Sequence, residues 1–300
     1  MLARVFGLLN IRKPPGPTSH DIVDQVRRRT GQAKVGHAGT LDPFAEGVLV
    51  LCLGPATRLA EYVQAQPKSY VAHIALGATS DTDDPTGQIA PAQDAHAPAE
   101  ELVRGVLKKF VGTIEQIPPA HSAVHVAGRR AYKLARAGKD FALAARTVEV
   151  HRIDVLAYAY PALELAVSCG GGTYIRALAR DIGSALGCGG YCSRLVRTAV
   201  GVFTLGQAVA PEDLDPQQDL LPAVLALGDM PRLTLDASAC ARLAKGQHVT
   251  LAAPQPSRPI ISPAFPVELA ALNEQGRLVA IGTVAQDGVT LSPTKVFPVD

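Results

Sequence analysis

The sequence contains no tryptophan, only seven tyrosines and seven phenylalanines, and only five cysteines among its 300 residues. No stretch reaches the roughly 18 consecutive apolar residues that a membrane helix needs, so no membrane-spanning helix is expected. The cysteines are odd in number and form no C-x-x-C pair, which argues against a disulfide framework and against a zinc site. The apolar start of the chain is too short for a signal peptide. These absences favour a cytoplasmic protein with an aliphatic core and no bound metal.

Hydrophobic residues make up 47% of the chain and charged residues 19%, which is enough apolar material for a buried core. The length suggests one large domain and one small domain. After about residue 235 the pattern changes to a short Ala-rich helix, a Pro-rich stretch and a hairpin-like pair of strands. We therefore expect one domain over residues 1–235 and a small β-rich domain over residues 236–300.

The net charge is only +2, but the charges are distributed unevenly. Residues 1–34 hold seven Lys or Arg against two acids, and residues 104–152 hold ten against three. Residues 81–101 carry six acids and no Lys or Arg. Basic regions inside a nearly neutral chain suggest a polyanionic partner that meets a defined surface. Solvated helix faces are the ordinary alternative.

Local patterns predict the elements around these charges. Thr18 and Gly31 are typical of the start and the end of a helix, and the alternation at residues 69–77 is typical of a strand. Residues 81–99 are expected to form a loop, and residues 129–140 a basic, Ala-rich helix.

The segment GHAGTLDP at residues 36–43 is the first candidate for chemistry, because it places His37 and Asp42 five residues apart in a Gly-rich stretch. Glycines allow the backbone to approach a ligand closely, and loops on rigid scaffolds commonly carry function. An Asp-Pro pair is also a common turn former, and a lone histidine is more often structural.

Arg176 is the second candidate, since it lies in the first turn of a predicted helix that follows three glycines. A cation there opposes the helix dipole, which a nearby anion such as the Asp42 carboxylate would explain. A guanidinium next to a partly buried aspartate favours its ionised, nucleophilic form. Tyr70 opens the alternating strand and is either a core residue or a ring that stacks on a base.

Several segments together resemble one family. They are GLLNIRKP (7–14), VGHAGTLDPFAEGVL (35–49), GPATR (54–58), KSY (68–70), QIPP (116–119), GRRAYKLARAG (128–138), GTYIR (172–176) and LVRT (195–198). In this order and spacing they resemble the bacterial tRNA pseudouridine-55 synthases.

This resemblance implies an α/β mixed-sheet pseudouridine synthase fold with a C-terminal domain like those called PUA. It implies an enzyme that flips uridine-55 out of the T loop of tRNA, detaches the uracil, rotates it and reattaches it through C5. No cofactor and no metal are expected, and we expect a monomer whose partner is the tRNA T stem-loop.

The resemblance also implies roles for individual residues. Asp42 matches the catalytic nucleophile, Tyr70 the residue that stacks on the base and assists removal of the C5 proton, and Arg176 the partner of Asp42. His37 matches a residue that helps to hold the RNA with its base flipped out. Leu195 matches a hydrophobic wall of the uracil pocket. The family's RNA-binding loop matches residues 118–146, in which the candidate tRNA contacts are Arg129, Arg130 and Lys133.

Three other readings stay open. A guide-RNA-dependent relative shares the catalytic motif, although the complete basic loop favours a stand-alone enzyme. A non-catalytic RNA-binding or RNA-folding protein would explain the basic surface but not Asp42. A glycoside hydrolase would need a second carboxylate, for which Glu46 is the only close candidate.

Overall fold

The computed structural model describes residues 5–93, 95–122, 124–126, 128–139, 141–251 and 267–298. Within them, nine strands form one mixed sheet with the order β1-β3-β12-β4-β11-β10-β7, with β2 added on β3 and β13 on β12. These strands are β1 Gly7–Lys13, β2 Val35–His37, β3 Glu46–Leu53, β4 Lys68–Leu76, β7 Gly112–Gln116, β10 Arg146–Ala159, β11 Ala162–Cys169, β12 Gly190–Val200 and β13 Phe203–Thr204.

Helices and short hairpins complete this part of the chain. The strands of the hairpins are β5 Ala78–Ser80 with β6 Ile89–Pro91, and β8 His125–Val126 with β9 Arg129–Arg130. The helices are α1 Ser19–Thr30, α2 Ala60–Ala65, α3 Glu100–Leu107, α4 Ala131–Arg136 and α5 Ile175–Ala185. Among the described residues, no helix has both the length and the apolar character that crossing a bilayer requires.

The catalytic candidates lie on or next to the strands in the middle of the sheet. Strand β12 pairs parallel with β3 and antiparallel with β4, so a strand from much later in the sequence lies between these two. Alternate residues of β4 are buried, because one face of this strand packs on the core that α3 and α5 cover. The face that carries Tyr70 is therefore the face on which the helices lie.

The C-terminal residues form a second sheet with the order β14-β16-β17-β18-β15. Its elements are β14 Arg232–Thr234, α6 Ala237–Ala244, β15 Val249–Thr250, β16 Val267–Leu272, β17 Leu278–Val284 and β18 Thr290–Val296. Strand β14 begins before residue 236, at which the sequence analysis places the start of the small domain, and that boundary stays a prediction. Phe297 stacks on Phe6 with ring centroids 5.3 Å apart, so the second sheet packs against the first.

The fold confirms the mixed α/β architecture and the β-rich C-terminal part, and it corrects two local predictions. The acidic segment 81–99 is not wholly a loop, because Ile89–Pro91 pairs with Ala78–Ser80. The basic helix begins at Ala131 rather than at residue 129, since Arg129 and Arg130 pair with residues 125–126 as a hairpin. The capped helix α1 is confirmed: Thr18 accepts the Asp21 backbone N–H, and Gly31 ends the helix in the left-handed conformation with φ 66°.

Candidate active site

Asp42 lies in the segment that connects β2 to β3. Gly39 adopts a φ of 120° there, a conformation that L-residues with a side chain rarely take. The segment re-enters the sheet at Glu46, where β3 begins. The chain therefore turns sharply on both sides of Asp42, and the side chain is presented from a loop that a buried sheet supports.

Buried side chains hold the backbone of this segment. The Ser19 hydroxyl accepts the Leu41 backbone N–H and donates to the Leu41 carbonyl, both at 2.9 Å. The Lys13 ammonium donates to the carbonyls of Pro43 at 3.2 Å and Ala45 at 2.7 Å. Lys13 is fully buried, and burial lowers its pKa to about 8, although the Asp42 charge opposes this shift. These contacts fix the backbone on both sides of Asp42.

The guanidinium of Arg176 pairs with Asp42. Its Nε lies 2.9 Å from the Asp42 Oδ2, and its Nη1 lies 2.8 Å from the Asp84 Oδ2. Nη1 also donates to the Thr82 carbonyl and Nη2 to the His121 carbonyl, at 2.9 and 3.1 Å. Arg176 is 3% exposed, so one buried cation connects two carboxylates and the start of the basic loop.

The electrostatics of Asp42 reflect two opposing effects. Burial raises its pKa, while Arg176 lowers it and the nearby Asp84 carboxyl adds to the increase. The side chain is still 32% exposed, so solvent reaches one side of it. The expected stabilisation of the ionised form by Arg176 is present, but burial outweighs it. A carboxylate that is partly desolvated and still paired is suited to act as a nucleophile.

Tyr70 lies near this carboxylate, and Leu195 belongs to the same apolar cluster as Tyr70. They belong to one hydrophobic cluster that also contains Leu41, and they are 8% and 5% exposed. Burial raises the pKa of the Tyr70 hydroxyl, and the Arg197 guanidinium opposes that shift. The negative charge of Asp42 raises the pKa of this hydroxyl further. An aromatic ring, an aliphatic wall and a carboxylate are thus gathered at one place.

His37 is the last residue of β2, and its ring is partly buried. Its Nδ1 is buried without a hydrogen-bond partner among the described residues. Burial lowers the pKa of His37, and the positive charges of Arg197 and His20 lower it further. The ring is therefore neutral at physiological pH.

The basic loop is exposed where its charges lie. Arg129 and Arg130 are exposed in β9, whereas the side chain of Lys133 is outside the described part of the structure. Arg180 on α5 donates to the Ile117 carbonyl at 2.9 Å. Gln116 exchanges two hydrogen bonds with the Tyr174 backbone. The base of the loop is therefore tied to the helix that carries Arg176.

Lys13 and Arg197 have no predicted role although both lie in motifs quoted above, and Asp84 has none although it lies in the acidic segment 81–101. Asp84 is 4% exposed and accepts hydrogen bonds from the Thr82 and Thr86 side chains. The dense Ser, Thr and Asp pattern of residues 80–86 is the signal that could have marked a buried polar network. No local signal marks Lys13 or Arg197 as buried, because strand pairing over long sequence distances buries them.

Comparison with known proteins shows the family to which the chain belongs. The family described as "TruB family pseudouridylate synthase (N terminal domain)" matches residues 27–175, and the family described as "tRNA pseudouridylate synthase B C-terminal domain" matches residues 176–224. The chain is 46% identical to a tRNA pseudouridine synthase B of Symbiobacterium thermophilum, over 81% of this chain and 83% of the relative. It is 39% identical to one of Dehalococcoides mccartyi, over 97% of this chain and 96% of the relative.

Solved structures show the same fold. An H/ACA ribonucleoprotein bound to a substrate RNA contains a chain with a TM-score of 0.73 and 25% identity, covering 98% of this chain and 86% of that chain. A chain of a Cbf5–Nop10–Gar1 complex matches with a TM-score of 0.73 and 28% identity, and the match covers 98% of this chain and 85% of that chain. The predicted pseudouridine synthase fold and the family resemblance are confirmed.

Proposed function

Because the chain belongs to the TruB family of pseudouridylate synthases, we propose that it converts uridine-55 in the T loop of tRNA to pseudouridine. A stacked base inside folded RNA is out of reach of any active site until it is flipped out. The Asp42 side chain is partly exposed, and its neighbour Leu41 belongs to the apolar cluster that contains Tyr70 and Leu195, so a flipped uracil would lie against these side chains. The enzyme is an isomerase, since the product has the composition of the substrate.

Asp42 acts on the glycosidic bond. The N1–C1′ bond breaks with its electron pair on uracil, and the carboxylate attacks the sugar or stabilises the positive charge that develops there. The uracil then rotates, C5 bonds to C1′, the C5 proton leaves and N1 gains a proton. Tyr70 stacks on the base and assists removal of the C5 proton. Arg176 holds the Asp42 carboxylate in place, and the pocket limits the access of water to the intermediate.

The observation that carries this proposal is the ion pair between Arg176 Nε and Asp42 Oδ2 at 2.9 Å. An exposed pair of this kind would be commonplace. Here the cation is 3% exposed and shared with Asp84. Perturbed carboxylates with a specific charge partner in such surroundings are typical of catalytic sites.

The surrounding parts of the chain serve tRNA binding. The basic residues of the loop 118–146, with Arg129, Arg130 and Lys133 among them, contact phosphates of the T stem-loop, because folded RNA is recognised largely by shape and phosphate. His37 helps to hold the RNA with the base flipped out. Residues 236–300 form a PUA-like domain that extends the RNA surface, and the enzyme works as a cytoplasmic monomer without a cofactor.

The decisive test uses the purified chain and a bare tRNA transcript that carries tritium at C5 of its uridines. Reattachment through C5 releases tritium to water, so one equivalent is expected per tRNA. A transcript with cytidine at position 55 should release none. Asp42→Asn should abolish release and leave tRNA affinity within a few-fold, because the carboxylate serves chemistry rather than binding.

Asp24→Asn is the matched control, because Asp24 is an exposed carboxylate on α1. It should retain normal turnover. Turnover by Asp42→Asn would remove Asp42 from its catalytic role. Inactivity of the unaltered chain on bare tRNA would favour a guide-RNA-dependent subunit instead.

A further inference from the structure

Arg197 on β12 is a buried cation that the reaction described above does not use. It is 3% exposed, and among the described residues no carboxylate lies within 4.0 Å of its guanidinium. Arg176, with the same exposure, has two carboxylate partners. A buried charge without a counter-charge is unfavourable unless hydrogen bonds and a specific role compensate for it.

The guanidinium uses its donors on the segment that carries Asp42. Nε donates to the Val48 carbonyl at 2.7 Å, Nη1 to the Thr40 carbonyl at 3.2 Å and Nη2 to the Gly39 carbonyl at 3.2 Å. Two of these acceptors precede Asp42, and the third follows it in β3. The planar fork of arginine spans such separated acceptors, which a single ammonium cannot do.

The backbone geometry brings Arg197 against this segment. Strand β12 pairs parallel with β3, so that Arg197 lies opposite Gly47. A Cβ atom on Gly47 would lie 2.2 Å from the Arg197 carbonyl oxygen, which no side chain tolerates. The glycine thus permits the close strand contact that places the guanidinium beneath the loop.

The same residue faces Tyr70 across the other edge of β12. The antiparallel register of β12 and β4 pairs Arg197 directly with Tyr70. Directly opposed side chains in an antiparallel pair are close neighbours, and the positive charge of Arg197 opposes the rise that burial causes in the pKa of the Tyr70 hydroxyl. One buried side chain therefore holds the loop of the carboxylate and belongs to the residue that is paired with Tyr70.

We propose that Arg197 is a positioning residue for the isomerisation: its guanidinium holds the Asp42 segment and the Tyr70 hydroxyl as one unit. The inference rests on the function proposed above, since it concerns the alignment of the two groups that act on the nucleotide. A displacement of about 1 Å between reacting groups can reduce a rate by about 100-fold. Arg197 does not itself touch the uracil in this scheme.

The test is Arg197→Lys, with Arg194→Lys as the matched control on the same strand. Lysine keeps the charge but cannot reach the Gly39, Thr40 and Val48 carbonyls and the Tyr70 hydroxyl at once. Single-turnover rates at saturating enzyme should fall about 100-fold, with tRNA affinity within about threefold. Arg194 is 62% exposed and pairs with Glu46, so Arg194→Lys should keep a normal rate.

A double-mutant cycle separates positioning from a purely structural role. If Arg197 acts through Tyr70, the loss in Arg197→Lys combined with Tyr70→Phe is clearly smaller than the product of the two single losses. Fully multiplicative losses would overturn the proposal, and so would a normal rate in Arg197→Lys. A lowered melting temperature with a normal rate for the folded fraction would do the same.

Arg197→Gln is the second variant, in case the lysine variant does not fold. Its amide keeps two N–H donors without the charge and should show the same selective loss of rate. Failure of both variants to fold would place Arg197 in the folding core and overturn the proposal. Inactivity of the unaltered chain in the same assay would instead count against the proposed function, so the two failures are distinguishable.

Discussion

The segment that carries Asp42 and the basic loop that begins near residue 117 are held in opposite ways. Between residues 39 and 45, five backbone carbonyls accept hydrogen bonds from the buried side chains of Arg197, Ser19 and Lys13. The basic loop is tied to α5 mainly at its base, at Ile117 and His121. Its hairpin consists of two strands of two residues each.

The difference follows from what each segment does in the proposed reaction. Bond making and breaking require fixed distances, which buried hydrogen bonds supply. Binding of folded RNA requires charges that reach phosphates, and exposed arginines on a short hairpin supply these. Changes in the Asp42 segment should therefore alter the rate at unchanged salt dependence, whereas changes in the basic loop should alter salt dependence at an unchanged maximal rate.

Tyr70→Phe should reduce the rate more than any other change beside the Asp42 segment (residues 39–45). Phenylalanine keeps the stacking surface but loses the hydroxyl, and a positioned acid–base group typically contributes about 10²–10⁴-fold to a rate. We expect a loss of this size in single-turnover kinetics with saturating enzyme, nearly normal tRNA affinity and a nearly normal melting temperature. A normal rate with a lowered melting temperature would return Tyr70 to a purely structural role in the core.

Combined replacement of Arg129, Arg130 and Lys133 by glutamine tests the other side of the comparison. Each phosphate contact that is lost should reduce the slope of log affinity against log salt by up to about one unit. The maximal rate at saturating enzyme should be unchanged. Lys108→Gln with Lys109→Gln serves as a control outside the loop. An unchanged slope in the triple variant would mean that this part of the loop is only a solvated surface.

Most local features of this molecule could be predicted from the sequence, although the hairpin at residues 78–91 and the start of the basic helix could not; the contacts between distant strands were largely out of reach. The cap at Thr18 and the alternation of β4 depend on neighbouring residues, and both are seen in the structure. The pairing of Asp42 with Arg176 was expected from the family resemblance and from the unfavourable place of a cation in the first turn of a helix. The role of Lys13 depends on the register of β1 with β3, and that of Arg197 on the register of β12 with β3; no local pattern specifies either register.

The pH dependence of the rate separates the two regions further. Burial raises the pKa of Asp42, so this carboxyl takes up a proton at a higher pH than the ordinary value of about 3.9. Below the raised pKa, the single-turnover rate should fall about tenfold per pH unit, because only the ionised form acts.

Folding itself raises this pKa, so protonation of Asp42 does not destabilise the native state. The rate should therefore fall at pH values at which the melting temperature and the salt slope of tRNA binding are still normal. A rate that stays constant down to the ordinary pKa of an aspartate would contradict the desolvated site. A parallel fall of rate and melting temperature would assign the effect to unfolding.

Ser19→Ala should reduce the rate least. It tests whether the side-chain hydrogen bonds to the Asp42 segment are needed for the rate. The change removes a hydroxyl that both accepts from and donates to the Leu41 backbone at 2.9 Å, next to Asp42. Two buried backbone groups then lose their partner, which costs about 1–3 kcal/mol of unfolding free energy. The rate should fall by less than in Tyr70→Phe, because Lys13 and Arg197 still hold the neighbouring carbonyls, and the salt slope should not change.

Urea unfolding and single-turnover kinetics measure the two effects. Ser193→Ala is the control, since the Ser193 hydroxyl donates to the His73 carbonyl at 3.1 Å on a different part of the sheet. Equal stability and equal rate in Ser19→Ala would show that the Asp42 segment keeps its geometry without this contact, and the contrast with the basic loop would then rest on Lys13 and Arg197 alone.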